Sequence, residues 1–157
     1  MMSLPSMKLR KIEQEALAEI RSMRTSAENL RLAFLLDNPA LLVHHFIVST
    51  HGHVQLRMAV LARELGTGMR TLERAFAREY HQSMTQCQVE VRLSYSKWML
   101  SIFPPTKISA VASLLGYERV QDFNRFFKKH TKQSPSAWSR QQQEHNLGEF
   151  NAPGASR

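Results

Sequence analysis

Two stretches decide how this chain is read: LARELGTGMRTLERAFAREYHQS, from Leu61 to Ser83, and VASLLGYERVQDFNRFFKKHTKQS, from Val111 to Ser134. Ala62, Leu65 and Gly66 match Ala112, Leu115 and Gly116 at an offset of 50; Leu72, Arg74, Phe76, Gln82 and Ser83 match Phe123, Arg125, Phe127, Gln133 and Ser134 at an offset of 51. The one inserted residue therefore falls just after the glycine, where a turn absorbs it. In each copy an alanine stands four residues before that glycine, and a second apolar-periodic helix follows. The spacing suits a helix-turn-helix: a small alanine lets the second helix approach closely, and glycine takes the positive φ that ends the first. One such pattern would be weak evidence, because many helical hairpins contain it. Two copies, each with an arginine two residues after an apolar position and two before a phenylalanine, predict a duplicated unit.

Helical spacing separates core from surface in each second helix. In the first copy Leu72, Ala75, Phe76 and Glu79 share a side, leaving Arg70, Thr71, Glu73, Arg74 and Arg78 on the rest. In the second, Phe123, Phe126 and Phe127 form the stripe, leaving Arg119, Gln121, Asp122, Asn124, Arg125, Lys128 and Lys129. Arginine, glutamine and asparagine can pair with guanine or adenine edges in the major groove. Lys128, Lys129, Lys132 and Arg78 suit phosphate contacts, which position a protein on DNA without specifying sequence. A solvated polar face would explain either helix alone; its recurrence points to double-stranded DNA as the partner.

The rest of the chain is arranged around these copies. From Met84 to Ile102 a continuous helical pattern places Val89, Leu93, Ser96 and Leu100 on one side, and Phe103-Pro104-Pro105 ends it. A helix of about 18 residues is about 27 Å long, against about 34 to 36 Å between successive major-groove segments on one face of DNA, so the connector is expected to act as a ruler. Asn38-Pro39 reads as an N-cap and first-turn proline opening a helix to about Thr50, with Leu42, Phe46 and Ile47 facing the core. Upstream, Leu9, Ile12, Ala16, Leu17 and Ile20 mark an amphipathic helix, and Leu30, Phe34 and Leu35 a second short one. This extension packs on its own domain or makes a homodimer through residues 1–37. From Glu144 onward periodicity is lost and a flexible tail is expected. The expected architecture is all-α: a helical extension over 1–37, two helix-turn-helix subdomains joined by a long helix over 38–143, and a tail over 144–157.

Composition bounds the function. The chain has 157 residues, 43% of them hydrophobic, enough for a core but not for a large two-domain enzyme. Lys and Arg number 21 against 13 Asp and Glu, a net +8; residues 1–37 hold six basic and five acidic side chains, so +7 belongs to 38–157. A lone Cys87 excludes an internal disulfide framework and a multi-cysteine zinc site, suits a reducing compartment, and reads as a small buried side chain. No stretch reaches the length of a membrane span, and the start turns charged where a signal peptide needs its apolar core, so a soluble cytoplasmic protein is expected. His44-His45 and His51-x-His53 have no carboxylate or cysteine at metal-ligand spacing, and no Walker loop, Gly-x-Ser-x-Gly or catalytic carboxylate pair occurs. No enzyme activity, catalytic residue, cofactor or metal is therefore expected. The competing reading is a helix-turn-helix module that has lost DNA binding and acts through another regulator.

From about Pro39 to Arg140 these residues resemble the DNA-binding domain of the AraC/XylS family of bacterial transcription regulators. The likeness is carried by LARELGTGMRTLERAF, by Arg92-Leu93 and Met99-Leu100, and by ISAVASLLGYERVQDFNRFFKKHTKQSPSAW. In that last stretch Ile108, Val111-Ala112, Gly116-Tyr117, Phe123-Asn124-Arg125-Phe126-Phe127-Lys128, and Ser134-Pro135 before Trp138 follow the family's pattern. The resemblance implies sequence-specific promoter binding, activation of transcription and contact with RNA polymerase. It places base contacts on Arg70, Glu73 and Arg74, and on Val120, Gln121, Asn124 and Arg125, and makes Ser134-Pro135 the start of the last helix. The chain departs from the pattern at Gly68, where a serine cap is usual, at His81 and Lys132, where a glycine is, and at Met84, where a proline is. Strained or differently shaped turns are expected at His81 and Lys132. The usual barrel-shaped sensor domain would not fit in 37 residues, so the resemblance is to stand-alone or truncated members.

Overall fold

The structure, a computed structural model, describes residues 14–22, 37–102 and 104–150. These form helices and no strand: α1 (14–22), α2 (Pro39–Ser49), α3 (Met58–Glu64), α4 (Met69–Tyr80), α5 (Met84–Ser101), α6 (Ile108–Leu114), α7 (Val120–Thr131) and α8 (Pro135–Phe150). They sort into two compact units, and the boundary falls inside α5, between Val91 and Arg92.

Side-chain caps open three of the helices. The Asn38 side chain accepts from the Leu41 amide at 3.3 Å and Pro39 follows, opening α2 as its sequence requires. Ser83 and Ser134 do the same job 51 residues apart: their hydroxyls accept from Gln86 at 3.1 Å and Ala137 at 3.2 Å, opening α5 and α8. The duplication extends to the backbone. α3 and α6 each have seven residues, and α4 and α7 twelve. After each first helix the glycine is left-handed, φ +67° at Gly66 and +84° at Gly116. The next amide then reaches back to the alanine carbonyl, Thr67 to Ala62 at 3.0 Å and Tyr117 to Ala112 at 2.9 Å. The inserted residue lengthens only the second turn.

In the first unit Leu61 and Ala62, Leu72 and Phe76, and the α2 residues Leu42, Phe46 and Ile47 share a core with Met84 and Cys87 from the start of α5. Ala16 and Ile20 are buried in that core, so this part of the N-terminal stripe packs on its own unit. Leu9, Ile12, Leu30, Phe34 and Leu35 lie outside the described residues. The second unit repeats the arrangement with Val111 and Ala112, Phe123 and Phe127, Leu100 and Leu115.

Two elements differ from expectation. Glu79 is exposed, and the core side of α4 ends instead on the half-buried Tyr80, whose ring stacks on His44 at 4.2 Å and meets Phe76 at 4.7 Å. A phenol keeps its body in apolar contact and its hydroxyl near water, which a carboxylate cannot do. α8 continues past Glu144 to Phe150. Its side chains supply the reason: Gln143 donates to the carbonyls of Ser101 and Ile102 at 3.4 and 3.3 Å, and Asn146 to Ser101 at 3.2 Å. These are carbonyls left without a helical partner at the end of α5, so satisfying them fixes turns that carry no apolar period.

Candidate nucleic-acid interface

Each second helix is built to present one polar face. Leu72 and Phe76 anchor α4, which leaves Arg70, Thr71, Glu73, Arg74 and Arg78 exposed. Phe123 and Phe127 anchor α7 in the same phase, leaving Gln121, Asn124, Arg125, Lys128 and Lys129 exposed, with Arg119 exposed at the N-cap. Val120 alone among the expected contacts is half-buried, because it packs against the second core. Within each unit the structure thus gathers the expected residues onto one helix face.

The turns that end these helices are alike despite their sequence. His81 (φ +54°) and Lys132 (φ +65°) both adopt the left-handed conformation, and their amides donate to Ala77 and Lys128 at 2.9 Å. The expectation of strained turns therefore holds in conformation, while the shape itself is the ordinary glycine one. Gly68 caps α4 with no side-chain hydrogen bond. A Cβ placed there would meet only the Thr71 hydroxyl, at 3.9 Å.

Behind α7 lies Arg92, whose position sequence periodicity could not reveal. It is 8% exposed, and its guanidinium lies over the rings of Phe126 at 5.2 Å and Tyr117 at 5.9 Å from their centroids. A delocalised, weakly hydrated cation tolerates such a site better than an ammonium would. Burial pushes the Tyr117 phenol up, opposed by the charge of Arg92 and a hydrogen bond with it, and reinforced by the carboxylate of Asp122. On the outer surface of the same helix Asp122 pairs with Arg125, one turn on.

A family model described as a helix-turn-helix domain matches residues 61–141. The chain belongs to the AraC-type helix-turn-helix family. Two solved structures share the fold of this AraC-type chain. The C-terminal domain of the two-component response regulator yesN from Fusobacterium nucleatum is 21% identical, over 62% of this chain and 94% of that one, with a TM-score of 0.55. A DNA-binding transcriptional dual regulator from Escherichia coli K-12 is 23% identical, over 68% of this chain and 94% of that one, with a TM-score of 0.56. Comparison with curated proteins gives no match.

Charge is unequally shared in this AraC-type protein. Ten of the 21 basic residues but only four of the 13 acidic ones fall in Arg92–Arg157, which gives that unit +6 of the total +8. Desolvation lowers the His130 imidazole below its ordinary value, and the charges of Lys129, Arg92 and Lys132 lower it further. Desolvation, then His45, lowers His44. Burial, then Glu90, raises the Cys87 thiol, as befits a side chain in the first core. Among the described residues no group of His, Cys, Asp and Glu is arranged to hold a metal ion, and no helix is long and apolar enough to cross a membrane.

Proposed function

We propose that this AraC-type protein is a sequence-specific transcription regulator in which α4 and α7 each read one major-groove segment of double-stranded DNA. The observation that carries this reading is the duplication itself: each unit uses an Ala-turn-Gly hinge and buried side chains of its second helix to turn arginine-bearing faces outward. Arg70, Glu73 and Arg74 face base edges from α4, and Gln121, Asn124 and Arg125 from α7, where the exposed part of Val120 offers apolar contact to a thymine methyl. Thr71, Arg78, Arg119, Lys128 and Lys129 hold phosphates. The DNA-binding segment spans 38–143, and the protein acts in the cytoplasm as an activator with RNA polymerase as a further partner. Pairing of two chains through residues 1–37 would have to use side chains other than Ala16 and Ile20, which the chain's own core occupies.

Selection of duplexes from a random pool, followed by affinity against salt on the winner, tests the reading. Arg74→Ala and Arg125→Ala should each weaken the selected site by about 1–3 kcal/mol without unfolding the protein. Unchanged affinity in both variants overturns the assignment. A protein that shows neither sequence preference nor a salt slope is the interaction module instead.

A further inference from the structure

Among the positions at which the two second helices differ, one pair bears on how an arginine is held. Arg74 in α4 and Arg125 in α7 are equivalent, 51 residues apart, and both are exposed. Three residues earlier stand Thr71 in α4 and Asp122 in α7. In α7 the Asp122 carboxylate accepts from Nη2 of Arg125, while 78% of the Arg125 side chain remains accessible. A guanidinium is a rigid planar fork with five donors, so one nitrogen held by a carboxylate still leaves donors for a base edge. An arginine held in one orientation loses less side-chain entropy when it pairs with guanine. The same carboxylate repels phosphate, which penalises binding to any duplex where the guanine contact is missing.

We propose that Asp122 is a positioning residue that sharpens base discrimination by α7: it presets the Arg125 guanidinium for one base pair, which Thr71, at the equivalent place in α4, cannot do for Arg74, and it disfavours nonspecific DNA. This inference rests on the DNA-reading function above. The inner side of the same helix is fixed independently of the pair, since Phe126 packs on the second core and the buried Arg92 guanidinium lies over its ring and that of Tyr117.

The test uses the full chain. The base pair concerned is the one whose preference disappears when the selection is repeated with Arg125→Ala. Affinities are then measured, at one salt concentration, for the selected duplex, for that duplex changed at this base pair, and for a random-sequence duplex. Asp122→Asn should reduce discrimination at this base pair about tenfold and strengthen binding to the random duplex several-fold. Asp122→Glu, which keeps the carboxylate, should retain most of the discrimination. Asp122 also stands in the first turn of α7, where a carboxylate steadies the helix, so the melting temperature is followed in every variant. A lower melting temperature with discrimination intact overturns the proposal and leaves Asp122 a helix-stabilising residue. If the unaltered protein itself has no preferred sequence, the DNA-reading function fails and this inference with it; if it has one and Asp122→Asn keeps the full ratio, only the inference fails.

Discussion

His81 and Lys132 show what a single residue costs when it occupies a conformation meant for glycine. The left-handed region costs a side-chain-bearing residue about 1–2 kcal/mol, and glycine gives back about 0.5–1 kcal/mol through its greater freedom when unfolded. His81→Gly and Lys132→Gly are each expected to stabilise the fold by up to about 1 kcal/mol, seen as a rise of a few degrees in thermal unfolding. Gly66→Ala should act in the opposite direction by about 1 kcal/mol, because nothing lies within 4 Å of the added Cβ and the backbone alone opposes it. Two histidines give the pH dependence at this scale. His44 and His130 both have lowered pKa values in the folded chain, so the unfolded chain binds their protons more readily. Their contribution is complete above the ordinary value of 6.5 and is lost as pH falls below it. Melting temperature should therefore drop between pH 7.5 and pH 5.5, and His44→Asn should flatten that profile. Cys87, buried and with a raised pKa, should react with thiol reagents far more slowly in the folded chain than in denaturant.

At the scale of elements the hinge and the phenylalanine anchors set where the polar faces point. Phe76 and Phe127 are fully buried at equivalent places, and each touches further rings, Phe76 those of His44 and Tyr80, Phe127 those of Phe123 and Trp138. Truncation to alanine removes a ring the fold cannot refill, so Phe76→Ala and Phe127→Ala should each cost about 3–5 kcal/mol in denaturant unfolding. Most of these elements were legible in the sequence. The alanine-to-glycine spacing, the Asn38-Pro39 start and the Ser134-Pro135 start encode local hydrogen bonds, and the periodicity of Leu72 with Phe76 encodes a buried stripe. The length of α8 was not legible, because the bonds that fix it join Gln143 and Asn146 to carbonyls about 40 residues earlier in the chain.

For the whole molecule the useful quantities are charge and the continuity of α5. With +6 in Arg92–Arg157 and +2 in Met1–Val91, the salt dependence of DNA binding should come mainly from the second unit. Removing Lys128 and Lys129 together by substitution with glutamine should lower the slope of log affinity against log salt by about 2. The ruler role expected of α5 is tested by inserting residues after Val91, which leaves Arg92 with the Phe126 and Tyr117 rings it packs against. Two inserted alanines turn a helix by about 200°. Affinity for the full selected site should then fall towards that of a half-site, whereas unchanged affinity would show that α5 does not fix the spacing.

The sequence by itself determined the all-α class, the duplicated helix-turn-helix, the caps and the exposed faces, because each is written in spacings of a few residues that act through local hydrogen bonds and helical period. Only the tertiary structure decided that Arg92 lies buried beneath two aromatic rings, that Tyr80 replaces Glu79 on the core side, and that α8 runs on past Glu144. Those outcomes depend on contacts between residues far apart in the chain, where burial and the need to satisfy buried polar groups outweigh local preference.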